Sequence, residues 1–162
     1  MSRLLGIDLG ERRIGLALAD RDGSAARPLA TIRRAAGIET DVSAIRVIVK
    51  RYDVDELVVG LPLEAAGGEG TQATITRGWA TAIADGLELP VALRDERLTS
   101  YLAETRLGPM KRGRSGGPPS KTQRDAYRAR VDREAATIIL QDELDARAAS
   151  HAAQGRDAGP RP

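Results

Sequence analysis

Three acidic side chains stand where a carboxylate is costly unless something uses it. Asp8 closes the apolar run Leu4-Leu5-Gly6-Ile7, and Glu96 ends the stretch Pro90-Val91-Ala92-Leu93-Arg94-Asp95. Asp132 precedes Ala135, Ala136 and Ile139 by three, four and seven residues. Those offsets put it on one helical face, the face that must be buried. An ionised carboxylate at the end of an apolar segment has to be hydrogen-bonded, paired or held on a cation. Three of them at one sheet edge would repel and raise each other's pKa. Divalent cations remove that conflict, and two of them about 3.5–4 Å apart can stabilise the attacking and leaving oxygens of a phosphodiester. Each acid alone also admits a plainer role. Asp8 could be a turn residue, Glu96 could cap the next helix, and Asp132 could pair with an arginine such as Arg128.

Composition narrows the chemistry. There is no cysteine, which removes disulfides, thiolate nucleophiles and cysteine zinc sites. His151 is the only histidine, near the C-terminus, so a histidine-based triad has little to build on. A catalytic metal would need oxygen ligands, which favour Mg²⁺ or Mn²⁺. Aromatic residues are limited to Tyr52, Trp79, Tyr101 and Tyr127, which is against a sheet that stacks RNA bases on aromatic rings.

The net charge is only +2, but its distribution is uneven. Lys111, Arg112, Arg114, Lys121 and Arg124 crowd one glycine- and proline-rich segment that has no acid from Pro109 to Arg124. Such a segment beside an acidic metal site suits binding of a phosphate backbone, with the loop open until substrate orders it. A merely solvated loop is the alternative. Arg12 and Arg13 lie close in sequence to Asp8 and could touch phosphate too; a surface role is an equal alternative.

The elements that must position these residues follow from hydrophobic periodicity. Residues 3–8, 14–19, 28–32, 57–61 and 90–96 read as strands. The first two are joined too tightly to be parallel. Helices are expected from Asp41, as N-cap, to Tyr52; over 72–84, with Gly86 as C-cap; over 100–107; and over 122–147. The glycine-rich loop 65–70 lacks the Gly-Lys-Ser/Thr ending of a P-loop and reads as a connector. One α/β domain over 1–147 is expected, with a mixed sheet flanked by helices on both faces and a disordered tail over 148–162. No membrane span or secretory signal is seen, so a cytoplasmic protein is expected.

In chain order the sequence carries Gly6-Ile7-Asp8-Leu9-Gly10, Arg13-Ile14-Gly15, Val59-Gly60-Leu61-Pro62, Asp95-Glu96-Arg97-Leu98-Thr99 and Val131-Asp132-Arg133-Glu134-Ala135-Ala136 with Ile139-Leu140. This ordered set resembles the YqgF/RuvX family of Holliday-junction-resolvase-like proteins, also described as pre-16S ribosomal RNA nucleases. The resemblance covers roughly residues 3–145. It implies a ribonuclease-H-like fold: a five-stranded mixed sheet, antiparallel in its first three strands and then parallel. It also implies an Mg²⁺- or Mn²⁺-dependent site in which Asp8, Glu96 and Asp132 match the family's three acids. The implied substrate is nucleic acid, either the 5′ end of pre-16S ribosomal RNA or branched DNA; a homodimer would suit a two-fold junction. One departure is Leu63-Glu64-Ala65-Ala66-Gly67-Gly68-Glu69-Gly70-Thr71, where the family carries a Met-Asp-Gly-like stretch. Two rivals remain at this level: a nucleic-acid-binding factor without catalysis, and an ATP-binding phosphotransferase, whose domains share the Asp-x-Gly turn seen at Asp8-Leu9-Gly10.

Overall fold

The computed structural model describes residues 2–64 and 66–157. The elements run β1 (Leu4–Leu9), β2 (Arg13–Ala19), β3 (Ala26–Arg33), α1 (Ile38–Tyr52), β4 (Glu56–Leu61), α2 (Thr71–Leu87), β5 (Val91–Asp95), α3 (Thr99–Leu107) and α4 (Lys121–Asp157). Among the described residues the strands form one sheet in the order β3-β2-β1-β4-β5. β1 pairs antiparallel with β2, and β2 with β3; β1 pairs parallel with β4, and β4 with β5. The expected mixed sheet is therefore present, with helices on both faces.

Strand alternation sorts the residues between two cores. On one face Leu5, Ile7, Ile14, Leu16, Leu57 and Val59 pack with Ile45 of α1 and Trp79, Ala80 and Ile83 of α2. On the other, Leu4, Ala17, Ala19 and Val58 pack with Ala136, Ile139, Leu140 and Leu144 of α4. The α4 face of the sheet is built from small residues, and this lets the helix lie directly on the strands. A Cβ at Gly6 would come within 2.7 Å of Leu140 Cβ, and one at Gly15 within 2.0 Å of the Asp132 carbonyl oxygen. α3 does not reach the sheet core; Ala103 packs instead on Val131, Ala135 and Ile138 of α4.

Several boundaries differ from the sequence expectation for physical reasons. α1 begins before Asp41, after Gly37, so Asp41 is not its N-cap. The Asp41 carboxylate is buried and accepts the Ala35 N–H at 2.9 Å and the Trp79 indole N–H at 3.1 Å. It pins the start of α1 to α2. Gly86 is not a C-cap either; α2 continues to Leu87 and Glu88 takes the left-handed cap. A Cβ at Gly86 would meet the Val42 methyls at 3.0 and 3.1 Å, so its service is close approach of α1 and α2. α4 runs to Asp157, ten residues beyond the expected end at 147, because Ala146, Ala148, Ala149, Ala152 and Ala153 favour helix and no proline interrupts them. Residues 158–162 of the expected tail, and Ala65 in the glycine-rich loop, lie outside the described residues. No helix among the described residues is long and apolar enough to cross a membrane.

Candidate active site

Asp8 lies directly across from Gly15 in the β1–β2 ladder, so both face α4. Arg13, two residues before Gly15, faces the same way. Because Gly15 has no side chain, the Asp132 backbone rests on β2 and the Asp132 carboxylate is delivered to the end of that ladder. Glu96 arrives from the turn between β5 and α3: its N–H donates to the Leu61 carbonyl at 3.1 Å and its carbonyl accepts the Thr99 N–H at 3.0 Å. Its side chain folds back over β4, where a Cβ on Gly60 would come within 2.4 Å of Glu96 Oε2 and 2.5 Å of Ile139 Cδ1. Two glycines thus make the room in which a strand acid, a turn acid and a helix acid approach one another.

The first two acids meet. The Asp8 and Glu96 carboxyls are within hydrogen-bonding reach. Burial pushes the Asp8 carboxyl up, the contact with Glu96 offsets part of that, and the charge of Asp132 adds to it. Glu96 is pushed up further, first by burial, then by the charge of Asp8 and the contact with it, and last by Asp95. Both carboxyls are thereby biased toward holding a proton above the ordinary carboxylate range. Asp132 is near enough for its charge to act on Asp8, but its Oδ2 accepts a hydrogen bond from Arg13 Nε at 2.7 Å. An arginine does neutralise Asp132, but it is Arg13 from across the sheet, not Arg128 one turn away. The β1–β2 turn fixes Arg13: the Gly10 N–H donates to the Arg13 carbonyl at 2.9 Å, and Arg34 Nη1 donates to the Gly10 carbonyl at 3.0 Å.

A cleft of about 420 Å³ opens beside this pair, lined by Gly10, Glu11, Arg12, Arg13, Arg128 and Asp132. Arg128 was not among the residues expected to bind substrate. The signal was available, since it sits four residues before Asp132 on the same helical face. The basic loop is a different environment. Lys111, Arg112 and Arg114 are exposed. The loop expected to stay open carries its own turns, with the Gly113 N–H donating to the Gly117 carbonyl at 3.1 Å and the Gly116 N–H to the Gly113 carbonyl at 2.9 Å. Lys121 pairs with Asp125 at 3.0 Å, and Arg124 Nη1 donates to the Pro119 carbonyl at 2.7 Å. Ser120 and Gln123 form a reciprocal capping box at 3.1 and 2.8 Å that starts α4. The structure brings Arg12 and Arg13 to the cleft beside Asp132; the loop residues do not line that cleft.

Among the described residues no group of three or more acidic, histidine or cysteine side chains stands ready to hold a metal ion. Asp8 and Glu96 nevertheless fit a hard divalent cation. They are crowded, desolvated oxygen donors whose mutual repulsion a proton or a cation relieves. Asp132, with Oδ2 held by Arg13, is the third oxygen donor nearby.

The family model described as "RuvX: Holliday junction resolvase" matches residues 2–146. A protein of Anaeromyxobacter sp. (strain K) named "Putative pre-16S rRNA nuclease" is 45% identical over 146 residues, which is 90% of this chain and 98% of that one. Its namesake from Chloroflexus aurantiacus (strain ATCC 29366 / DSM 635 / J-10-fl) is 42% identical over 144 residues, 89% of this chain and 87% of that one. The solved structure of T. thermophilus RuvC in complex with Holliday junction substrate aligns with a TM-score of 0.53 at 14% identity, over 92% of this chain and 97% of that one. That likeness speaks to the fold, which is ribonuclease-H-like. With a family model spanning almost the whole chain and relatives above two-fifths identical, this chain belongs to the RuvX family.

Proposed function

We propose that the protein is a divalent-metal-dependent nuclease that hydrolyses phosphodiester bonds, acting in 5′-end processing of pre-16S ribosomal RNA or on branched DNA in the cytoplasm. One observation carries this reading: two partly buried carboxylates, Asp8 and Glu96, face each other at a sheet edge and crowd each other's charge. Asp8 and Glu96 would hold Mg²⁺ or Mn²⁺, with Asp132 completing the set once it leaves Arg13. A divalent ion supplies Lewis acidity, lowering the pKa of the attacking water and offsetting charge on the leaving 3′ oxygen. To hold the ion both carboxyls would have to be deprotonated. Arg12, Arg13 and Arg128, which line the cleft beside Asp132, would bind the phosphodiester and orient it. Lys111, Arg112 and Arg114 hold the backbone further out, without regard to sequence. Lys121 and Arg124 reach it only by exchanging their present partners for phosphate.

The test is a cleavage panel with Mn²⁺ or Mg²⁺ on single-stranded RNA, single-stranded DNA, duplexes and a four-way junction, with Asp8→Asn as control. Metal-dependent cleavage lost in the variant is the expected result; equal cleavage by a cleanly purified variant refutes the assignment. The Arg13–Asp132 pair favours one other reading, a nucleic-acid-binding factor whose third acid is structural. Tight binding with no turnover under any of these conditions would select it.

A further inference from the structure

We propose that Arg13 couples cation binding to substrate binding by holding Asp132 until the cation displaces it. The inference rests on the metal-site reading above, but concerns a residue which that reading leaves only as a phosphate contact.

Three observations carry it. First, the pair is direct and partly sheltered: Arg13 Nε stands 2.7 Å from Asp132 Oδ2, with side-chain exposures of 31% and 19%. Second, Asp132 lies near enough for its charge to act on Asp8, while its Oδ2 is held by Arg13. Releasing it from Arg13 leaves its negative charge uncompensated there, which costs free energy in the metal-free protein and is favourable once a cation is present. Third, Arg13 has somewhere to go. The cleft it lines already holds Arg12 and Arg128, and a phosphate oxygen offers Arg13 the same charge-assisted hydrogen bond that Asp132 gives it now.

The exchange has a consequence. The cation draws Asp132 away and frees Arg13 for phosphate; phosphate draws Arg13 away and frees Asp132 for the cation. By linkage each must strengthen the other by the same factor. Arg13 is a positioning residue for the third acid in the metal-free protein and a substrate contact afterwards.

The experiment is Mn²⁺ binding by calorimetry on the full chain, without nucleic acid, in wild type, Arg13→Gln and Asp132→Asn. Arg13→Gln should bind Mn²⁺ more tightly, by roughly fivefold for loss of a partly exposed pair. In an Asp132→Asn background the same substitution should change little, which separates competition for Asp132 from a general loss of positive charge. Damage to the fold lowers affinity and cannot produce this gain; should Arg13→Gln fail to fold, Arg13→Lys, which keeps the charge but not the fork, should shift affinity in the same direction by less. In a second arm, wild type should bind a phosphorothioate oligonucleotide more tightly with Mn²⁺ than with EDTA, and Arg13→Gln should lose that enhancement. Equal Mn²⁺ affinity in wild type and Arg13→Gln, with binding still abolished by Asp8→Asn, overturns the role of Arg13 and leaves the metal site standing. No Mn²⁺ binding by any variant overturns both.

Discussion

The two ends of the contact between α4 and the sheet are built from the same materials and differ in balance. At the far end Arg147 Nη1 and Nη2 donate to Glu56 at 2.8 and 2.5 Å, and its Nε donates to Glu143 at 2.9 Å. Arg94 adds a bond to Glu143 at 3.3 Å. Two acids are met by two arginines, and the hydrogen bonds to Glu56 hold Arg147 firmly in its charged form. At the near end Asp132 is met by Arg13, while Asp8 and Glu96 meet each other. The far end is a closed electrostatic joint; the near end is a deficit. Buried charge that balances itself holds a structure together. Charge that does not balance marks a candidate ligand site.

That contrast predicts opposite signatures for mutation at the two ends. At the near end, Asp8→Asn should reduce metal-dependent cleavage by about a thousandfold or more, the scale at which loss of an essential charge at a reacting centre is felt. The metal-free variant should melt no lower than wild type, because a crowded charge has gone. A steady-state cleavage assay paired with thermal melting in EDTA checks both.

Between the ends, Gly15→Ala tests the seating of the helix. The new methyl would meet backbone, so α4 must lift, at a cost of about 1–3 kcal/mol or more. Gly60→Ala would meet only side-chain atoms, Glu96 Oε2 and Ile139 Cδ1 first among them. It should cost less stability and yet disturb the site, so cleavage should fall more than melting temperature does. Urea denaturation of both variants beside their cleavage rates separates the two effects.

At the far end, Arg147→Met leaves Glu56 and Glu143 facing each other. It should destabilise by about 1–2 kcal/mol after allowance for solvent exposure, with unchanged cleavage per folded molecule. A drop in rate larger than the drop in folded protein would show that the two ends are not independent.

A smaller effect is the pH dependence of stability. Asp8 is raised from its ordinary value to about 6 and Glu96 to about 9. The folded state therefore binds more protons than the unfolded chain between about pH 4 and about pH 9, and metal-free stability should fall as pH rises through that window. Melting in EDTA across pH 5 to 9 should show the decline, and Asp8→Asn should lessen it, leaving the part that burial of Glu96 causes. The smallest effect belongs to the loop. Replacing Lys111, Arg112 and Arg114 with Gln should lower the salt slope of single-strand binding by about 0.7 for each phosphate no longer neutralised, without altering the cleavage mechanism.

The strands and the helix face were legible in the sequence because those signals are local. The apolar runs of β1, β2, β4 and β5 are nearly continuous, and Ala135, Ala136 and Ile139 are buried as their spacing requires. β3 is longer than expected; its residues are only partly buried, so its apolar signal is weak at the ends. Asp41 misled because aspartate is both a favoured N-cap and a good acceptor, and only the fold reveals that Trp79, 38 positions away, is its partner. The partner of Asp132 was hidden for the same reason. Arg13 lies 119 positions away, and their meeting depends on the β1–β2 register and on the absence of a side chain at Gly15. The acids could be picked out by where a charge is expensive; how they divide among a proton, an arginine and a cation could not.

The property to test first is whether Asp8 and Glu96 share the divalent ion proposed for them. The direct measurement is anomalous diffraction at the manganese edge from crystals grown with Mn²⁺ at neutral pH. A strong peak coordinated by both carboxylates is the predicted result. A map with no peak between them, at saturating Mn²⁺ and with both side chains well ordered, would contradict it.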